Sequence, residues 1–161
     1  MLFRSASNFS TTNENSVENI FTIPMDRNLY KNEFYYLIRS RHYSHAKAYG
    51  QGGWNGASAT KEAIDAFGYN TAAQDPRFDL TYYAGKIEGP AGIIKLDDGT
   101  ELKYLPSEIA LDLTNKPAEK TAGARMKKDE LDAAATNDGK LQNNDSVIFS
   151  YGDVLLMKSE A

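Results

Sequence analysis

The chain has 161 residues, enough for one domain, and its composition argues against several classes of protein. The formal net charge is −4, and the 18 Lys and Arg residues are scattered without a basic stripe, so nucleic acid is not an expected partner. Cysteine is absent, which excludes disulfides, thiolate nucleophiles and cysteine-bound zinc.

The N-terminal part of the chain shows regular patterning in one segment. Residues 1–16 are polar and contain no apolar targeting segment, so we expect a loop and no signal peptide here. Residues 17–25 alternate between apolar and polar side chains and predict a strand. Residues 33–43 fit either a strand or a helix, because their periodicity favours neither.

The middle of the chain predicts a loop, a helix, a turn and a hairpin. Residues 48–56 contain four glycines, which favour a loop. Residues 58–68 have a serine cap, an apolar stripe and a terminal glycine, as expected for a helix. Residues 74–79 predict a turn, since their proline disfavours helical backbone before it. The Asp-Gly pair within residues 92–105 predicts a hairpin with a type I′ turn.

The last third is polar until its final helix. Residues 106–146 predict little regular structure, apart from a short helix at 124–135. Residues 151–161 predict a helix with Asp153 in the first turn, where a carboxylate interacts favourably with the helix dipole. This helix has no stop signal and its apolar side chains have no evident partner, so we expect the chain to end inside a helix. No apolar run of about 18 residues predicts a membrane span.

No arrangement typical of catalysis or metal binding is found in the sequence. His42 and His45 lack the glutamate of an H-E-x-x-H pattern, so we expect solvated or hydrogen-bonded histidines and no metal site or cofactor. Residues 50–53 do not complete a dinucleotide-binding fingerprint, and no nucleophile elbow or P-loop occurs. Asp75 and Arg77 lie two positions apart in the predicted turn, and we expect them to form a structural ion pair. We therefore expect that the protein is not an enzyme.

Aromatic and uncharged polar residues occur together in and beside the glycine-rich loop. Aromatic rings can pack against the apolar face of a sugar, while Asn, Gln and Arg can bind its hydroxyls. Packing of these aromatic side chains in a core is the alternative interpretation. The candidate glycan-binding residues are Trp54, Asn55, Tyr49, Tyr43, Gln51 and Arg41.

Several segments, in order along the chain, match the motifs of one family. Residues 17–24, VENIFTIP, match its E-x-I-F-x-I-P strand. Residues 54–56, a short predicted helix and the D-P-R at 75–77 match a second stretch, and residues 125–128 match R-x-x-K. Residues 144–161, NDSVIFSYGDVLLMKSEA, resemble the most specific motif, N-D … R-Y-A-D-V-L-L-M-x-A-E-A. The chain thus resembles the later part of SusD/RagB-type proteins, the surface-exposed nutrient-binding lipoproteins of Bacteroidetes.

The resemblance implies a loop-rich, mixed α+β fragment of a mainly α-helical fold that contains tetratricopeptide-like helices. A few short strands, one hairpin and two to three helices are expected. The implied organisation is a partial domain over residues 1–161, truncated at both ends, with 1–16 poorly patterned and 17–161 family-like. Ser150, Gly152 and Ser159 depart from the motif, in or beside the last helix.

The resemblance also implies a function. The expected role is non-catalytic capture of an oligosaccharide at the bacterial cell surface and its delivery to a SusC-like TonB-dependent transporter. The full-length parent would be a surface-exposed outer-membrane lipoprotein, contacting the membrane only through a lipid anchor that this chain lacks. The alternatives are a structural, adhesion or peptide-binding surface module and a glycoside hydrolase.

Overall fold

The computed structural model describes residues 5–29, 40–110, 112–137, 139 and 141–161. These residues divide into two units, one formed by 5–29 with 129–161 and the other by 40–128. The elements, in chain order, are a 3₁₀ helix (Ser5–Phe9), β1 (Asn19–Ile23), α1 (Tyr43–Lys47), α2 (Lys61–Ala66), α3 (Phe78–Thr81), β2 (Tyr82–Tyr83), β3 (Gly85–Lys86), β4 (Glu88–Gly89), β5 (Gly92–Ile93), β6 (Lys103–Tyr104), β7 (Arg125–Met126), β8 (Ser146–Ser150) and α4 (Tyr151–Glu160).

The predicted mainly α-helical, tetratricopeptide-containing fold is wrong. The described residues form four short α-helices and eight strands, and the strands pair antiparallel as four two-stranded sheets. The expectation of a few strands, a single hairpin and two to three helices is therefore also wrong. A tetratricopeptide repeat is a helical hairpin of about 34 residues. The longest described α-helix has 10 residues, so the described helices cannot build one. None of the described helices has the length and apolarity needed to cross a bilayer.

Left-handed backbone explains why the elements of the 40–128 unit are so short. Gly68, Gly92 and Gly99 have φ values of 62°, 102° and 84°. Such values suit glycine, which lacks the Cβ that makes this region costly for other residues. Gly68 follows the end of α2, Gly92 follows the turn between β4 and β5, and Gly99 closes the next hairpin. Helical or extended backbone is therefore interrupted after a few residues.

Two small hydrophobic clusters form the core of the 40–128 unit. One lies around α2 and α3 and comprises Ala59, Ile64, Phe78 and Ala124. The other is formed by residues in and beside the strands β3–β6 and comprises Ile87, Ile94, Leu102 and Tyr104. Within this unit β2 pairs with β7, β3 with β6 and β4 with β5.

The predicted helix at 58–68 is confirmed, with a different cap. Thr60 is the N-cap, and its Oγ1 accepts the Ala63 N–H at 3.3 Å. Ser58 lies outside the helix. Gly68 follows the last turn with positive φ, as a helix-terminating glycine does.

The hairpin predicted within 92–105 forms, but its type I′ turn is wrong. The Gly99 N–H donates to Leu96 O at 3.0 Å, and the Leu96 N–H donates to Thr100 O at 2.8 Å. A type I′ turn needs positive φ at both central residues. In this turn Gly99 has positive φ and Asp98 does not. The loop is therefore longer than two residues and closes through the left-handed glycine.

The predicted turn at 74–79 is confirmed, whereas the short helix predicted at 124–135 is wrong. The Asp75 carboxylate accepts the Arg77 backbone N–H at 2.8 Å and its Nε–H at 2.9 Å. At 125–126 the chain instead forms β7, which pairs with β2. The backbone there is extended because its hydrogen bonds run to a distant strand.

The unit of 5–29 with 129–161 is built on the pairing of β1 with β8. The strand predicted at 17–25 is confirmed as β1, and the terminal helix predicted at 151–161 is confirmed as α4. The Tyr151 N–H donates to Glu18 O at 2.7 Å where β8 ends. The Asp153 carboxylate accepts the Ser150 N–H at 2.7 Å, which caps α4 as its first-turn position predicts. No residue of α4 is buried.

Candidate functional site

The six candidate residues lie in α1 and in the stretches on either side of it. Residues 33–39 of the segment predicted as strand or helix are outside the described residues, and α1 begins at Tyr43. The helix ends when the Gly50 N–H donates to Lys47 O at 3.0 Å, with a φ of 71° at the glycine. The chain then returns to the start of α1, where the Asn55 N–H donates to Arg41 O at 3.0 Å. We call residues 49–56 the glycine loop.

One glycine of this loop is required by its surroundings. A Cβ at Gly53 would lie 2.6 Å from Arg41 O and 2.8 Å from His42 O. Both atoms are backbone, so no side-chain rotation could relieve the overlap. A Cβ at Gly56 would meet nothing within 4 Å. The tight packing of the loop against the start of α1 therefore depends on Gly53.

The structure divides the candidate residues by exposure. Tyr43 and Trp54 are 51% and 50% exposed, which excludes a place deep in a core for either ring. Arg41 is 1% exposed and Gln51 is 7% exposed, so both lie beneath the surface. Tyr49 and Asn55 are partly buried. A ligand could therefore reach Tyr43 and Trp54 and parts of Tyr49 and Asn55, whereas Arg41 and Gln51 are buried.

Two buried rings, that of His45 on α1 and that of Tyr104 beside the start of α1, were not among the candidate site residues predicted from the sequence. The Tyr104 hydroxyl accepts the His42 backbone N–H at 2.8 Å and lies 3.1 Å from His45 Nδ1. The His45 ring stands edge-on to Tyr83 at a centroid distance of 4.7 Å. Burial lowers the pKa of His45 to about 3, helped by the positive charge of Arg41. The imidazole is therefore neutral at physiological pH. Hydrogen-bonded histidines, one of the expected states, are what the structure contains.

Arg125 is a further residue of this region that the sequence did not single out as part of a site. Its guanidinium is buried, donates from Nη2 to Asn55 Oδ1 at 3.0 Å, and lies 4.9 Å from the centre of the Tyr104 ring. It also donates to the carbonyl oxygens of Ala122 and Lys120.

The segment that carries the glycine loop has basic side chains and no acidic ones. Residues 40–60 contain Arg41 and Lys47 but no Asp or Glu. Burial lowers the pKa of His42, and the positive charges of Arg125 and Lys120 lower it further, with a smaller opposing effect from Asp97. The described residues contain no group of three or more side chains suited to hold a metal ion.

Comparison with known proteins gives no match: no protein-family model matches the chain, and no curated protein or solved structure shows significant similarity to it. The function is therefore inferred from the exposed groups of the glycine loop and from the motif resemblance.

Proposed function

We propose that this chain is part of a non-catalytic surface protein that captures an oligosaccharide. The exposed indole of Trp54, beside the amide of Asn55 on the glycine loop, is the observation that supports this function most strongly. The ordered motifs shared with SusD/RagB-type proteins extend the proposal. The parent protein would be anchored by lipid at the outer-membrane surface and would deliver its ligand to a SusC-like TonB-dependent transporter.

The chemistry of the exposed groups suits a sugar. An indole plane can cover the apolar C–H face of a pyranose ring, while a side-chain amide binds a neighbouring oxygen. Tyr43 offers a second exposed ring. Shallow sites of this kind bind with Kd values on the order of mM to µM, or about −4 to −8 kcal/mol.

The absence of acidic side chains from the segment that carries the site supports capture over hydrolysis. Glycoside hydrolases commonly need two carboxyl groups about 5–9.5 Å apart across the bond that is broken. Residues 40–60, which contain every candidate contact, have neither Asp nor Glu. A ligand held on the glycine loop would therefore meet no acid/base pair from that segment.

Calorimetric titration of the 161-residue chain with a panel of soluble oligosaccharides tests the proposal. We expect saturable binding that Trp54→Ala weakens at least about tenfold, because the stacking plane is removed. Tyr151→Ala is the matched control, since Tyr151 is also about half exposed but lies in the other unit. Equal affinity in wild type and Trp54→Ala would remove Trp54 from the site. Binding of peptides alone would favour the surface-module alternative, and release of reducing sugar would favour a hydrolase.

A further inference from the structure

The side chain of Asn55 has one chemically permitted orientation. Arg125 Nη2 lies 3.0 Å from Asn55 Oδ1. A guanidinium only donates hydrogen bonds, so the atom that faces it must be the amide oxygen. The amide nitrogen therefore points away from Arg125, and it makes no hydrogen bond to any described residue. Two N–H donors next to Trp54 are left for a ligand.

The backbone of Asn55 is held in place as well as its side chain. Its φ is 52°, in the left-handed region that costs energy for residues other than glycine. Asn tolerates that region better than most residues, and three other described asparagines also adopt it. The Asn55 N–H bond to Arg41 O fixes the backbone, and Arg125 fixes the side chain.

Among the described residues, no carboxylate pairs with the charge of Arg125 beneath Asn55. Arg125 is 3% exposed, and its hydrogen bonds run to the oxygens of Ala122, Lys120 and Asn55, all uncharged acceptors. A buried cation is costly without a counter-charge, and its field is weakly screened. Asp97 raises the pKa of nearby His42, but by less than Arg125 or Lys120 lowers it.

We propose that Asn55 and Arg125 make the site selective for acidic oligosaccharides, in which a uronate carboxylate accepts the Asn55 amide N–H within the field of Arg125. Asn55 is the specificity-determining contact, and Arg125 is a positioning residue that aims it. A carboxylate matches both features, because it only accepts hydrogen bonds and carries the opposite charge. This inference rests on the proposed capture of glycans and narrows its substrate class.

The first test compares acidic glycans with neutral twins. Hexasaccharides from polygalacturonate, alginate and unsulfated chondroitin are titrated into the chain by calorimetry, each beside its carboxyl-reduced form. We expect at least one acidic member to bind about tenfold or more tightly than its twin, as a charge-assisted hydrogen bond predicts. Equal or tighter binding of the neutral forms overturns the selectivity and leaves glycan capture standing. Failure of every acidic and neutral glycan overturns the proposed function, and the selectivity with it.

The second test is Asn55→Asp, which preserves the shape of the side chain and its bond from Arg125. The new carboxylate offers no N–H donor and repels an anion, so the affinity for the acidic ligand should fall at least about tenfold. The melting temperature should stay the same or rise, because the contact with Arg125 becomes an ion pair. Undiminished binding of the acidic glycan by this variant would overturn the proposal.

Asn70→Asp is the matched control. Asn70 also has left-handed backbone, with a φ of 61°, and it is an exposed loop residue of the same unit. The control adds the same charge and the same backbone cost away from the glycine loop. We expect the Asn70→Asp variant to bind the acidic glycan with the same affinity as wild type. A loss as large as that of Asn55→Asp would show that net charge and not the Asn55 contact is responsible, which overturns the proposal.

Discussion

The buried imidazole of His45 makes the stability of the folded chain depend on pH. Its pKa is about 3 in the folded state and 6.5 as an unperturbed group, and burial is the largest cause of the difference. The unfolded chain therefore binds this proton more readily. The contribution of the neutral His45 imidazole to stability is complete above pH 6.5 and is lost as the pH falls from there toward 3. We expect the free energy of unfolding to drop by up to about 1.4 kcal/mol per pH unit in that window. Urea unfolding across this range measures it.

Two histidine variants separate this effect from general acid denaturation. His45→Gln removes the most strongly shifted group, so its unfolding free energy should vary less steeply with pH. His42→Gln should keep most of the slope, because the pKa of His42 is also lowered but its imidazole is less buried. Identical slopes for wild type and His45→Gln would contradict the assignment.

Gly53 and Gly56 should respond differently to the same substitution. Gly53→Ala would place a methyl group 2.6 Å from Arg41 O, and overpacking of this kind typically costs about 1–3 kcal/mol. Gly56→Ala enters open space without a left-handed φ, so we expect a change within about 0.5 kcal/mol. Thermal or urea unfolding distinguishes the two. If both variants were as stable as wild type, the close approach of the glycine loop to the start of α1 would be disproved.

At the scale of elements, Asn13 joins the residues before β1 to the start of β8. Its Nδ2 donates to Asn8 O at 2.8 Å and to Asp145 O at 2.9 Å, while its Oδ1 accepts the Asp145 N–H at 2.8 Å. Asn13→Ala leaves these buried backbone groups unsatisfied, at about 1–3 kcal/mol for each group. We expect amide exchange in β1 and β8 to accelerate markedly. The exposed Asn15→Ala is the control, and unchanged exchange in Asn13→Ala would contradict the role.

The elements that the sequence predicted correctly are those with local signals. α2 lies between a capping side chain and a left-handed glycine, and α4 has an aspartate in its first turn. Such signals act within a few residues. The pairing of Tyr82–Tyr83 with Arg125–Met126 joins two-residue strands that lie more than 40 positions apart, and no short pattern specifies that register. The tetratricopeptide expectation came from family resemblance and not from helical periodicity in these residues.

The sequence predicted the loop of the candidate site but not the buried residues beneath that loop. Glycine density located the loop, and residue chemistry selected six candidate contacts, of which Tyr43 and Trp54 are exposed and Arg41 and Gln51 are buried. Burial of a charged side chain depends on segments distant in sequence, so the sequence could not show that Arg41 lies beneath the surface. The same reason hid Arg125, whose side chain reaches Asn55 across 70 positions.

At the scale of the whole molecule, the net charge of −4 opposes the local positive charge around the glycine loop. The net charge repels an acidic glycan over a long distance, whereas the local positive charge attracts it over a short one. The Debye length falls from about 30 Å at 0.01 M salt to about 10 Å at 0.1 M and about 3 Å at 1 M. Moderate salt therefore screens the repulsion between the whole chain and an acidic glycan before it screens the attraction by groups close to Asn55.

This difference in range predicts a maximum in affinity as salt is raised. An acidic hexasaccharide should bind more tightly at about 0.1 M than at about 0.01 M salt, and more weakly again at about 1 M. Its carboxyl-reduced twin should show little dependence, because it carries no charge for either field to act on. Calorimetry at the three salt concentrations measures both. A steady loss of affinity from the lowest salt upward would mean that the local cations dominate at every distance and that the net charge of the chain has no part in recognition.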